Sequence, residues 1–333
     1  MSATAPAELS LKIGTLVENP IQMGWGPGRI VGTKGRNVWV VFRDHAGAEA
    51  KLMIPEALRP AASQNDPILD NLPEPNLVKG RPVMAGDRAP FGDAVRAFLT
   101  RYPAGFHDPA YVKGSKGGER GARWTAHENV TGALGEGELR RLIEGGRRKE
   151  ACSRIRGLVG IPTMLTPAER KGFADALKDA AAAEAMLHAL ADVMESDKPN
   201  EESFGPFLAA VADLAHTTEI ELVASWSVAT LLPALARPDT HVFLKPAAVQ
   251  KAARVLTFDL SYSPSLNWVT YDRALALSSV YRQKLEELNR PDLVPRDQID
   301  VQAFIASAAE SGGSRGSKAG RPKAAKKGAG LFG

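Results

Sequence analysis

His127, Asp239, His241 and Lys245 are the residues of this 333-residue chain whose types suit acid–base chemistry. Histidine changes charge near neutral pH, a carboxylate beside it orients the ring, and a lysine holds an anion. A pocket in a helical domain that gathered the four would therefore move protons, and this is the enzyme reading of the chain. His107 with Asp108 and His127 with Glu128 are further pairs of the same kind. The chain carries no phosphate-cradling Gly-X-X-X-X-Gly-Lys-Ser/Thr loop, no Gly-X-Ser-X-Gly elbow and no His-Glu-X-X-His pair. No two of its six histidines (His45, His107, His127, His188, His216, His241) have metal-ligand spacing on one helix face, so neither metal nor cofactor is expected. Cys152 is the only cysteine, which rules out an internal disulfide and a cysteine-based zinc site. Within Glu150-Ala-Cys-Ser-Arg-Ile155 it reads as a small packing residue of a helix.

A second chemistry is phosphate binding. Lys113, Lys116, Arg120, Arg123, Arg140, Arg141, Arg147, Arg148, Lys149, Arg154 and Arg156 face six acids between positions 113 and 156. Such local excess of base is what a nucleic-acid surface requires, because neutralised phosphates release counterions. Tyr111 and Trp124 add rings on which bases could stack. Lys113, Lys116, Arg120, Arg123, Trp124, Arg147 and Arg148 are the expected contacts. Glutamates interleaved with these bases leave a solvated helix surface as the alternative.

The net charge of +4 has a location. Six of the 42 bases and none of the 38 acids lie in residues 311–333, so the tail carries +6 and the remainder −2. Lysine, glycine and alanine without apolar periodicity make this a disordered basic tail that attracts phosphate without folding. Residues 1–8 lack the basic start and apolar centre of a signal peptide, and no stretch approaches the roughly 18 apolar residues of a membrane span. The expectation is a cytoplasmic protein, nucleoid-associated, with no membrane partner.

The elements that must position these residues fall into four segments. Between Leu11 and Leu58, short apolar runs separated by glycine turns predict strands at Arg29–Val31, Val38–Phe42 and Lys51–Ile54. Val38, Val40 and Phe42 alternate with Trp39, Val41 and Arg43, and Lys34-Gly-Arg-Asn37 supplies a hairpin turn. Four or five strands in about fifty residues predict a small β-barrel over 8–60. Residues 61–87, rich in proline, read as a linker or an extended wrap. Residues 88–309 read as a large all-α domain. There Thr166-Pro-Ala-Glu169 is a capping box opening a helix to about Glu195, followed by helices at Phe207–Ala215, Glu219–Ala236 with a kink or stop near Pro233, Pro246–Leu256, Tyr271–Leu288 and Asp297–Ala308. The tail occupies 310–333. The fold class expected is thus α+β multidomain.

The run Gly14-Thr-Leu-Val-Glu-Asn-Pro20, Trp25-Gly-Pro-Gly-Arg-Ile-Val31 and Val38-Trp-Val-Val-Phe42 resembles the SH3- or Tudor-like barrel at the C-terminus of UvrD-type helicases. More distantly it is similar to the RNA-polymerase-interacting barrel of CarD and the transcription-repair coupling factors. The resemblance covers about 50 residues and implies docking on a protein partner, such as RNA polymerase or a helicase, through Trp25, Arg29, Arg36, Trp39 and Arg43. In the tail, Gly320-Arg-Pro-Lys323 resembles half of an AT-hook, with Ala319 where that motif has arginine. This implies minor-groove or phosphate contacts by Arg321 and Lys323, and DNA in preference to RNA. Leu331 and Phe332 resemble the short motifs that bind the bacterial replication sliding clamp. Residues 237–246 and 295–304 resemble blocks of uncharacterised bacterial proteins, and these imply no mechanism. The expected function is an accessory nucleic-acid-associated binding protein.

Overall fold

In the computed structural model, residues 12–45, 50–84, 91–113, 118–160 and 164–311 are described. The N-terminal part is an antiparallel sheet of β1 (Leu16–Glu18), β2 (Gly28–Lys34), β3 (Asn37–Phe42), β4 (Lys51–Met53) and β5 (Arg59–Pro60), in the order β4-β3-β2-β1-β5. Gly35 sits first in the two-residue β2–β3 turn with φ +61°, a conformation glycine adopts without a Cβ penalty. The alternation along β3 has its expected consequence. Val38, Val40 and Phe42 join Val17, Ile30 and Leu58 in one apolar cluster, while Trp39 and Val41 join Ala50 and Met84 on the other face. Both faces of β3 are therefore covered, which is why its sequence is an almost unbroken apolar run.

The expected barrel does not close among the described residues. β4 and β5 stand at opposite ends of the sheet. β5 has only two residues and ends in Pro60, which has no N–H to extend a ladder. The space beside the second face is filled instead by residues 61–84. These include a 3₁₀ turn (Leu69–Asn71) and a hairpin of β6 (Asn76–Val78) and β7 (Arg81–Val83). Leu69 packs on Leu16, Met84 packs on Trp39, and Ile68 reaches the core of the helical part.

The helical part comprises α1 (Phe91–Arg101), α2 (Pro109–Val112), α3 (Gly118–Leu134), α4 (Glu138–Glu144), α5 (Arg148–Val159), α6 (Pro167–Ala176), α7 (Glu184–Glu195), α8 (Glu201–Thr217), α9 (Trp226–Ala236), α10 (Pro246–Leu256), α11 (Trp268–Glu286) and α12 (Gln298–Ser311). Most of the buried apolar residues from Ala94 to Ala308 form one cluster. Side chains satisfy the first-turn amides of several helices: Asp108 caps α2, Asn200 α8, Ser225 α9 and Asn267 α11. The capping box of Thr166 and Glu169 opens α6, and α10 has the bounds expected for it.

Two expected helices are divided. The alanine-rich segment after Thr166 breaks between Ala176 and Glu184, where the Asp179 carboxylate accepts from the Ala181 and Ala182 amides and draws them out of a helical ladder. The segment from Glu219 forms a 3₁₀ turn (Glu221–Ala224) and then α9, which continues three residues past Pro233. Residues Trp226–Leu235 are all buried, so α9 runs through the middle of the helical part. Among the described residues, no helix is long and apolar enough to cross a membrane.

Candidate functional site

The Asp297 side chain accepts from the Ile299 and Asp300 amides at the start of α12, and it also holds a cation. Arg120 of α3, 8 % exposed, forks onto Asp297 with Nη1 and Nη2 at 2.8 and 2.6 Å, and its Nη1 reaches Asp300 at 2.9 Å. The Tyr111 hydroxyl donates to Asp300 at 2.8 Å, and Arg296 donates to Asp300 through its backbone N–H and its guanidinium. Two arginines balance two aspartates, so the buried cluster is electrically neutral. Burial alone would lower the Arg120 pKa, but the hydrogen bond it donates to Asp297 and both carboxylate charges raise it. Burial alone would likewise raise that of Asp300, and the Arg296 hydrogen bonds hold it low instead. Burial first, then the Asp300 charge, keeps the Tyr111 phenol protonated. Arg120, expected on a phosphate surface, is a buried strut between α3 and α12.

One helical turn further along α3, Arg123 faces a cavity of about 70 Å³. Its walls are Leu244, Val249, Leu277 and Ile305, and its polar members are Arg123, Lys245, Ser278 and Gln302. The Arg123 Nη2 donates to Glu119 at 2.8 Å, whereas its Nη1 is buried without a hydrogen-bond partner. Arg123 was expected to meet nucleic acid and Lys245 to serve an enzyme pocket, and the fold brings these two together.

The other acid–base candidates do not join them. No hydrogen bond or ion pair links any two of His127, Asp239, His241 and Lys245. The His127 Nδ1 lies 2.6 Å from the Leu235 carbonyl, and Asp239 pairs with Arg237 on the surface. His241 is buried, with Nδ1 2.9 Å from the Tyr271 hydroxyl and Nε2 without a partner. Burial, and then the charge of Arg237, lowers its pKa to about 4 against a smaller opposing effect of Asp239. Burial raises the pKa of the Cys152 thiol, which packs in the helical core as expected. Among the described residues no group of three metal-ligating side chains is found.

The basic stretch is largely paired with acids, some of its own and some from elsewhere in the fold. Arg140 binds Asp192 and Glu195, and Arg148 binds Glu184, all three acids belonging to α7. Arg147 pairs with Glu150, and Arg154 with Glu138 and Glu150. Trp124 is exposed, donates to Glu128 and lies beneath the Arg120 guanidinium. Lys113, Lys149 and Arg156 remain exposed with no ion pair among the described residues. Lys116, Arg321, Lys323, Leu331 and Phe332 lie outside those residues.

On the sheet, four of the five expected docking residues serve internal contacts. The Trp25 ring lies 5.1 Å from Phe42 and covers one cluster, and Trp39 is buried in the other. Arg29 donates to the Leu69 carbonyl, and Arg43 pairs with Asp44 and Asp66. Arg36 is exposed beside Glu56. The exposed apolar side chains are others: Ile21 at 81 %, Met23 at 76 %, Ile54 at 54 %, and also Ile13, Leu52, Leu77 and Val78. Ile21 and Met23 stand in a turn region, and large apolar residues there, outside any period, are the signal that could have marked them. Comparison with protein-family models, with curated proteins and with solved structures finds no match to this chain.

Proposed function

We propose that the chain is an accessory binding protein whose N-terminal sheet docks on a protein partner and whose exposed cations hold nucleic acid beside it. The observation that carries this reading is the placement of exposed large apolar side chains. Seven of the twelve among the described residues fall between Ile13 and Val78, the part with the smaller core. Leu52 pairs across strands with Trp39, and Ile54 follows two residues later, so both project from the same face beside the edge strand β4. An edge with unpaired backbone groups flanked by apolar side chains suits an added strand from a partner. The likeness of this segment to the SH3- and Tudor-like barrels of UvrD-type helicases and CarD supports RNA polymerase, or a helicase, as the partner class. Lys113, Lys149 and Arg156 together with the tail cations provide the electrostatic contact to DNA, and the terminal Leu331 and Phe332 suit a clamp-type groove. Weak contacts of these two kinds reinforce each other through effective concentration.

The test is binding of the full chain to purified bacterial RNA polymerase and, separately, to duplex DNA over a salt series. Exchanging Met23 and Ile54 together for serine is expected to weaken polymerase binding about tenfold or more and leave DNA binding unchanged. Polymerase affinity untouched by the double exchange would remove Met23 and Ile54 from the interface. DNA affinity that did not fall with salt would remove the electrostatic contact.

A further inference from the structure

The cavity beside Arg123 combines three properties that together describe a ligand. Its walls are mostly apolar, contributed by the loop before α10 and by α10, α11 and α12. Two cations, Arg123 and Lys245, line it, and no acidic side chain among the described residues does. The Nη1 of Arg123 is buried without a hydrogen-bond partner among the described residues, and a guanidinium N–H left so in a folded protein is costly. Glu119 orients the same guanidinium by accepting from its Nη2 at 2.8 Å.

From these we infer that the cavity is a binding site for a small apolar monocarboxylate, its carboxylate received by Arg123 and its hydrocarbon part lying against Leu244, Leu277 and Ile305. The charge balance sets the class. Glu119 offsets one of the two cations and leaves a single positive charge for the ligand, which suits a monoanion better than a dicarboxylate or a phosphate ester. The volume sets the size: about 70 Å³ is roughly half the ~150 Å³ that accommodates benzene in an engineered cavity, so a short chain fits and a long acyl chain does not. A charge-assisted hydrogen bond is also the contact that separates an acid from its neutral amide. The sheet and its docking face play no part, so this assignment stands apart from the function proposed above.

Titration calorimetry of the full chain with propanoate, butanoate and 2-methylpropanoate, each beside its neutral amide, tests the assignment. At least one of the acids is expected to bind at millimolar concentration or below, with its amide about tenfold weaker or worse. Arg123→Gln should weaken the acid by a similar factor. Ala306→Leu, which fills the cavity from α12 without touching a charge, should abolish binding and keeps the test meaningful should Arg123→Gln fail to fold. An N-acetyl dipeptide ending in leucine presents the same carboxylate on a peptide. Its binding in preference to all the free acids would overturn the assignment to a small acid. Equal affinity for acid and amide, full affinity in either variant, or no binding by any of the three acids would overturn the site itself.

Discussion

Replacing Arg120 with methionine is expected to destabilise the protein by about 3–5 kcal/mol, the range for removing one partner of a buried ion pair. The Arg120 side chain is only 10 % exposed, and those of its partners Asp297 and Asp300 are 11 % and 0 %. Methionine fills similar space without the charge, so the loss falls on the two carboxylates. Asp300 keeps Arg296, whereas Asp297 keeps only the amides it caps at the start of α12. Urea denaturation should show the loss as a lower midpoint with an unchanged slope. The exposed pair of Arg36 and Glu56 provides the comparison, since Arg36→Ala should cost under about 1 kcal/mol. A cost at Arg120 no larger than that at Arg36 would show that the buried cluster does not hold α3 to α12.

The second large effect is a loss of stability in acid that depends on His241. The ring titrates at about 4 in the fold against an ordinary 6.5, because burial and the neighbouring Arg237 disfavour its charged form and Asp239 compensates little. Below pH 6.5 the unfolded chain takes up a proton that the folded chain refuses, so acid favours unfolding. The contribution is fully present above pH 6.5 and is lost as pH falls through 6.5 towards 4, by about 3 kcal/mol in all. His241→Phe keeps a ring against Phe204 and Tyr271 and removes the titration. The stability difference between the two proteins should therefore shift by about 3 kcal/mol in favour of the variant between pH 7 and pH 4. A difference constant across that range would mean that the buried ring is not the acid-sensitive group.

Local order was legible in the sequence wherever one residue's neighbours in the chain decide its state. The apolar alternation in Val38–Phe42, the capping box at Thr166 and the proline that opens α10 each act within a few residues, and each gave the element expected. Asp179 acts locally too, but its capture of two amides looks from sequence like one polar residue in a good helix. Long-range pairing was not legible. Nothing near Arg120 announces Asp297, and nothing in the basic stretch announces that Asp192, Glu195 and Glu184 pack against it. Of the residues read as reactive, Arg123 and Lys245 do share a cavity, for a reason neither segment contains: α3 and the loop before α10 both border the C-terminal helices. The exposed apolar residues of the sheet were missed because strand periodicity directs attention to β3, whose apolar side chains are all covered.

The most direct test of the docking claim is hydrogen–deuterium exchange of the full chain, alone and with saturating purified RNA polymerase. Edge-strand amides exchange readily when unpaired and slow when a partner covers them. New protection is expected across residues 20–25 and 51–54, with the helical part unchanged. Protection confined to the helical part, or none in the sheet, would contradict it.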